Sequence, residues 1–122
     1  MPTAKVPSGG SSKTQYIVSA WVGIDGDTCR SAIWQAGVDA FLQNGVTTYG
    51  TWYEWYPEDS YYYSGFDVTA GNSIKVTITA TSTTSGTVSI ENLSTGKSVS
   101  HTLSGLPSSE KLCQTNAEWI VE

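Results

Sequence analysis

Hydrophobic and polar positions alternate with period two along most of this chain, and no useful length keeps a helical period. The alternating runs are rich in β-branched and aromatic residues. They predict strands at Tyr16–Ile24, Ala32–Phe41, Thr47–Tyr56, Ile74–Ala80, Thr87–Leu93, Ser98–Leu103 and Asn116–Glu122. Between them stand turn signals: Asp25-Gly26-Asp27, Asn44-Gly45, Ala70-Gly71-Asn72, Ser85-Gly86 and Ser94-Thr95-Gly96-Lys97. Ahead of the first strand, Pro7-Ser8-Gly9-Gly10-Ser11-Ser12 is too polar and glycine-rich to pack. Residues 1–15 are therefore expected to be a flexible lead-in and residues 16–122 a single domain. With short connections and no internal repeat, the expected architecture is an all-β antiparallel sandwich.

Period two also sorts the strand faces. Ile74, Val76, Ile78 and Ala80 alternate with Lys75, Thr77 and Thr79, which describes an ordinary half-buried strand. Four other segments differ. Ala20, Val22 and Ile24 oppose Trp21, Gly23 and Asp25, while Trp34, Ala36, Val38 and Ala40 oppose Gln35, Gly37 and Asp39. Tyr49, Tyr53 and Trp55 oppose Trp52, Glu54 and Tyr56. Ala117, Trp119 and Val121 oppose Asn116, Glu118, Ile120 and Glu122. Each segment has an apolar side and a side mixing aromatics, amides and acids. If the four are sheet neighbours, the mixed sides merge into an acidic, aromatic-lined groove. A carboxylate between flat aromatic walls suits a binding cleft better than a core.

Composition narrows the chemistry open to such a groove. A chain of 122 residues supports one modest core. Eleven acidic residues against six basic ones give a net charge of −5, which argues against nucleic acid as a partner. The same balance is compatible with acidic surroundings, where carboxylates lose charge and self-repulsion falls. No apolar run is long enough to span a membrane, and no membrane partner is expected. Met1-Pro2-Thr3-Ala4-Lys5 leads into Ser and Gly with no apolar segment behind it, so no signal peptide is expected in this stretch.

Two cysteines, Cys29 and Cys113, stand far apart without a CxxC pair or a Cys/His cluster. No metal and no cofactor are expected, and the two form either one long-range disulfide or two buried thiols. The single histidine, His101, lies in a plain strand with Val99 and Leu103, and no GxSxG elbow supports a Ser-His-Asp site. Carboxylates and an amide remain. A carboxylate can activate water as general base and then protonate a leaving group. A Gln N–H can stabilise an oxyanion without titrating. Two carboxylates would instead suggest a glycosidase. Separately, Asn92-Leu93-Ser94 fits the glycosylation sequon.

Four long motifs then carry a resemblance: Trp21-Val22-Gly23-Ile24-Asp25-Gly26-Asp27-Thr28-Cys29, Ala32-Ile33-Trp34-Gln35-Ala36-Gly37-Val38-Asp39, Trp52-Tyr53-Glu54-Trp55-Tyr56-Pro57 and Thr115-Asn116-Ala117-Glu118-Trp119-Ile120-Val121-Glu122. In this order they closely resemble the eqolisin, or glutamic peptidase, family over about Val6 to Glu122. The resemblance implies two packed antiparallel sheets of the concanavalin or jelly-roll kind, and a secreted, acid-acting endopeptidase with protein or peptide substrates. It implies a catalytic Gln/Glu dyad at Gln35 and Glu122, and a substrate cleft lined by Trp21, Asp39, Trp52, Glu54 and Tyr56. It also implies a disulfide between Cys29 and Cys113. A further cleft acid of the family, two residues before Trp52, is Gly50 here. The resemblance covers the central part of the family domain. Its first strand and everything after the final Glu fall outside, so pairing with a further segment, or self-association through exposed edges, is expected. The competing class is a catalytically inactive β-sandwich remnant or binding module that holds peptide or carbohydrate in the aromatic groove without cleaving it.

Overall fold

The alternation becomes two antiparallel sheets in the computed structural model, which describes residues 1, 9–10, 14–26 and 31–121. The strands are β1 Tyr16–Ile24, β2 Ile33–Gln43, β3 Val46–Tyr56, β4 Tyr61–Tyr62, β5 Ile74–Ser82, β6 Ser85–Asn92, β7 Lys97–Leu103 and β8 Ala117–Val121. A short 3₁₀ turn spans Ser108–Glu110. One sheet has the order β4-β3-β2-β1-β8 and the other β5-β6-β7. Every expected strand is present, and β4 is an addition. Most of the expected lead-in lies outside the described residues.

The five-stranded sheet carries the face that matters, and its register begins at a hairpin. Asn44 and Gly45 both adopt positive φ, 54° and 75°, the conformation a two-residue type I′ turn requires. Antiparallel pairing from that turn places Gln35 opposite Glu54, Gly37 opposite Trp52 and Asp39 opposite Gly50. The even positions of β2 accordingly face the second sheet. Trp34 and Ala36 join Tyr53, Trp55, Val88, Ile90 and Leu112 in one buried cluster. Trp34 packs edge-on against Tyr53 at 6.2 Å and tilted against Trp55 at 5.4 Å, and its indole N–H donates to the Thr79 carbonyl across the sandwich at 3.2 Å. An indole buried this deeply needs such an acceptor. Truncating a core Trp of this kind typically costs about 3–5 kcal/mol.

Three parts of the chain are placed differently from what their local sequence suggests. Trp119 and Val121 are 79% and 75% exposed, although alternation assigned them to an apolar inner side. The reason is topological: β8 ends a five-stranded sheet that extends beyond the three strands packed against it. Asn92, by contrast, is fully buried. Its amide N–H groups donate to the Asp67 carbonyl at 3.2 Å and Asn72 Oδ1 at 2.9 Å, while its oxygen accepts from Ser94 and Thr95. The sequon asparagine thus anchors the turn after β6 and offers no accessible nitrogen for a glycan. The third is Asp25. It was assigned to the groove, but its side chain is completely buried.

Gly37 holds β1 close to β2. A Cβ there would fall on the Ala20 carbonyl oxygen and 2.6 Å from Trp21 Cβ, so the site is closed to any side chain. Gly37→Ala is expected to cost about 2–3 kcal/mol through overpacking. A chemical-denaturation midpoint equal to wild type would show that β1 can move aside.

Candidate active-site face

Two lateral rows cross the outer face of the five-stranded sheet. In one, Glu54, Gln35, Gly23 and Glu118 follow one another on β3, β2, β1 and β8. In the next, Tyr62, Trp52, Gly37, Trp21 and Ile120 do the same from β4 to β8. Gln35 Nε2 donates to Glu54 Oε1, which fixes the orientation of the amide. An amide nitrogen has two N–H donors, and this bond uses one.

Gly23 is the space between Gln35 and Glu118. A Cβ at Gly23 would lie 2.8 Å from Glu118 Oε1 and 2.9 Å from Trp21 Cζ3. The Glu118 carboxylate and the Trp21 ring edge therefore lean over the bare backbone of β1. With one strand between them, Gln35 and Glu118 have backbones about 10 Å apart, room for a water and a carbonyl between their side chains. A hollow of about 410 Å³ opens alongside, lined by Trp21, Ile33, Glu118 and Ile120 among others. The larger hollow, about 600 Å³, is lined chiefly by inner-face apolar residues such as Ala20, Val22, Val76 and Val121, and offers no comparable chemistry.

Asp25 explains why β8 lies where it does. It ends β1 with φ at 67°, and its backbone N–H donates to the Asn116 carbonyl at 2.9 Å. Its carboxylate accepts from the backbone N–H groups of Cys113, Gln114 and Thr115 at 2.8 Å each and of Asn116 at 3.3 Å. Burial alone would raise its pKa, but these donors outweigh that effect and hold it below the ordinary carboxylate value. The segment entering β8 is thereby clamped to the end of β1, which sets Glu118 beside Gly23.

The remaining cleft residues divide by depth. Asp39 is only 5% exposed and accepts three hydrogen bonds, from Ser19 Oγ at 2.7 Å, Trp52 Nε1 at 2.9 Å and Tyr62 OH at 2.5 Å. It positions the lining instead of forming it. Burial first, then the hydrogen bond to Asp39, push the Tyr62 phenol up to about 12, so it stays a donor at any working pH. Tyr56 is 49% exposed at the end of β3. Trp21, Trp52 and Glu54 are partly exposed on the face.

The structure thus brings together Gln35, Glu54, Trp21, Trp52 and Asp39, and adds Glu118, Ser19 and Tyr62. Glu122 lies outside the described residues. So does Cys29, although Cys113 is not a free thiol. The signal for Glu118 was present in the alternation, which put Glu118 and Glu122 on one side of the last strand.

Comparison with known proteins gives the family. The Peptidase A4 family profile matches residues 1–122. Aspergillopepsin-2 of Aspergillus niger is 56% identical over 108 residues, covering 88% of this chain and 38% of that protein. Scytalidopepsin B of Scytalidium lignicola is 53% identical over 122 residues, covering 98% of this chain and 44% of that protein. The crystal structure of scytalido-glutamic peptidase with a transition-state analogue inhibitor superposes with a TM-score of 0.81 at 51% identity, covering 93% of this chain and 52% of that one. The chain therefore spans less than half the length of these curated relatives. On a match over its whole length and relatives this similar, the chain belongs to the Peptidase A4, or eqolisin, family.

Proposed function

We propose that this chain carries the catalytic face of an acid-acting glutamic endopeptidase, with Gln35 and Glu122 as the working pair, as the family motifs imply. The observation that supports this face is the Gln35 amide held by Glu54 on the outer side of the sheet, on the row where the Glu118 carboxylate leans over Gly23. Glu122 lies outside the described residues, and Glu118, of the same motif, lines the cleft.

In the proposed reaction, Glu122 takes a proton from water and the resulting hydroxide attacks the scissile carbonyl. The second N–H of Gln35 stabilises the oxyanion, while Glu54 holds the amide in place. Glu122 then passes its proton to the leaving amine, and the bond breaks. An acidic medium suits this reading because carboxylates crowd the face and the chain carries a net charge of −5. Substrates are protein or peptide chains, in keeping with the peptidase names of the relatives. Secretion and a Cys29–Cys113 disulfide complete the reading, supported by family membership and by the absence of a free thiol at Cys113. The exposed Trp119 and Val121 are consistent with pairing through the β8 edge.

The test is cleavage of an unfolded protein by this chain across acidic pH, read by peptide mass. Gln35→Ala removes one oxyanion donor and should lower the rate about a hundred- to a thousandfold. Wild-type-like turnover in Gln35→Ala would sink the proposal.

A further inference from the structure

Gly50 is the feature the proposed reaction leaves unexplained. It lies inside β3, opposite Asp39, and its backbone needs no left-handed conformation. Its lack of a side chain must therefore serve space. A Cβ at Gly50 would meet the Tyr62 ring at 3.0 and 3.1 Å and Phe41 at 3.2 Å. Tyr62 lies down over the bare backbone, and in that position its hydroxyl donates to Asp39 Oδ2. The other Asp39 oxygen accepts from the Trp52 indole, so one buried carboxylate pins two aromatic side chains at once. Phe41 continues the wall, with ring centroids 6.4 Å from Tyr62. Yet Tyr62 is 54% exposed. A half-exposed aromatic whose polar end is tied to a buried carboxylate is positioned to present its ring, which is what a binding wall requires.

The geometry points to Tyr62 as a specificity-determining residue: with Trp52 and Phe41 it forms a subsite for one uncharged, preferably aromatic, side chain of a bound peptide, seated over Gly50. This deepens the peptidase reading and rests on it for the identity of the ligand as a peptide. The preference for an uncharged side chain follows from Asp39. Its charge is buried and engaged by three donors, and Glu54, the other carboxylate whose charge reaches Tyr62, already accepts from the Gln35 amide, so ring surface is what this point of the face chiefly offers.

Binding is tested separately from cleavage. In the Gln35→Ala protein, titration with acetyl-Ala-Phe-Ala-amide is followed by tryptophan fluorescence, with the Ala-Ala-Ala and Ala-Lys-Ala analogues as controls. The Phe peptide is expected to bind most tightly. Adding Tyr62→Ala should weaken it roughly three- to tenfold, the scale of an aromatic contact, and leave the Ala-Ala-Ala affinity unchanged. Tyr62→Phe, which keeps the ring and loses its tether, should fall between. Gly50→Ala displaces the ring by a few tenths of an ångström and should weaken the Phe peptide in the same direction but less than Tyr62→Ala. A merely structural role for Tyr62 would weaken all three peptides equally, and that result overturns the inference, as does a Phe/Ala preference untouched by Tyr62→Phe and Gly50→Ala. If Tyr62→Ala does not fold, those two variants decide alone. Absence of cleavage by the wild-type chain would count against the peptidase reading, while the binding ratios would still judge the subsite.

Discussion

Asp25→Ala is expected to be the most destabilising single substitution outside the aromatic core, at about 4 kcal/mol or more. Four backbone N–H groups converge on this buried carboxylate, and removing it leaves them without an acceptor in a place water reaches poorly. Each orphaned buried donor costs roughly 1–3 kcal/mol, and the losses add only in part, so a total at the exceptional end of single-mutant effects is reasonable. Asp25→Asn keeps the shape but exchanges one acceptor oxygen for a donor facing other donors, and should be nearly as damaging at neutral pH.

The pH dependence separates charge from shape. The folded-state pKa of Asp25 lies below its unfolded value. Its contribution is thus fully present above the ordinary carboxylate pKa and is lost as pH falls through the lower, folded value. The gap in denaturation midpoint between wild type and Asp25→Asn should be widest near neutrality and narrow only at strongly acidic pH. A constant gap across that range would assign the effect to packing alone. On the proposed acid-acting function such a clamp is an advantage, because its depressed pKa keeps it charged where ordinary carboxylates are already neutral.

The contrast between Asp25 and Asp39 shows what alternation could and could not reveal. Period two placed Asp25 and Asp39 with the groove-facing residues, since burial of a carboxylate leaves no mark on a pattern of apolar and polar letters. The structure buries both, one under backbone donors from the segment entering β8 and one under Ser19, Trp52 and Tyr62. Those partners are remote in sequence. The long strands and the two faces of β2 and β3 were legible because a half-buried strand must alternate. Tyr61–Tyr62 was not, because two residues are too few to alternate and their pairing with Trp52 and Tyr53 depends on the chain turning back. Exposure of Trp119 was equally hidden, for nothing local to β8 states how far the opposing sheet extends. Gly23, Gly37 and Gly50 are the most instructive. As letters they read only as small residues on a strand. In the sheet each is a space that a named neighbour fills: the Glu118 carboxylate, the Trp21 backbone and the Tyr62 ring.

Glu122→Gln should remove nearly all turnover while leaving the fold and peptide binding intact. The substitution keeps the size of the side chain, but the carboxamide can no longer accept the proton of water. Loss of general acid–base catalysis is expected to lower kcat by about a hundred- to ten-thousandfold, with KM little changed because binding to the aromatic wall is untouched. Glu54→Gln should be milder. It weakens the acceptor that orients Gln35, and its cost should appear as a fraction of the Gln35→Ala defect instead of adding to it. The decisive comparison is between Glu122→Gln and Glu118→Gln in the same assay. A silent Glu122→Gln protein beside an active Glu118→Gln protein supports the Gln35/Glu122 pair, with the carboxylate leaning over Gly23 shaping the cleft. The reverse outcome would make Glu118, on the row of Gln35, the base.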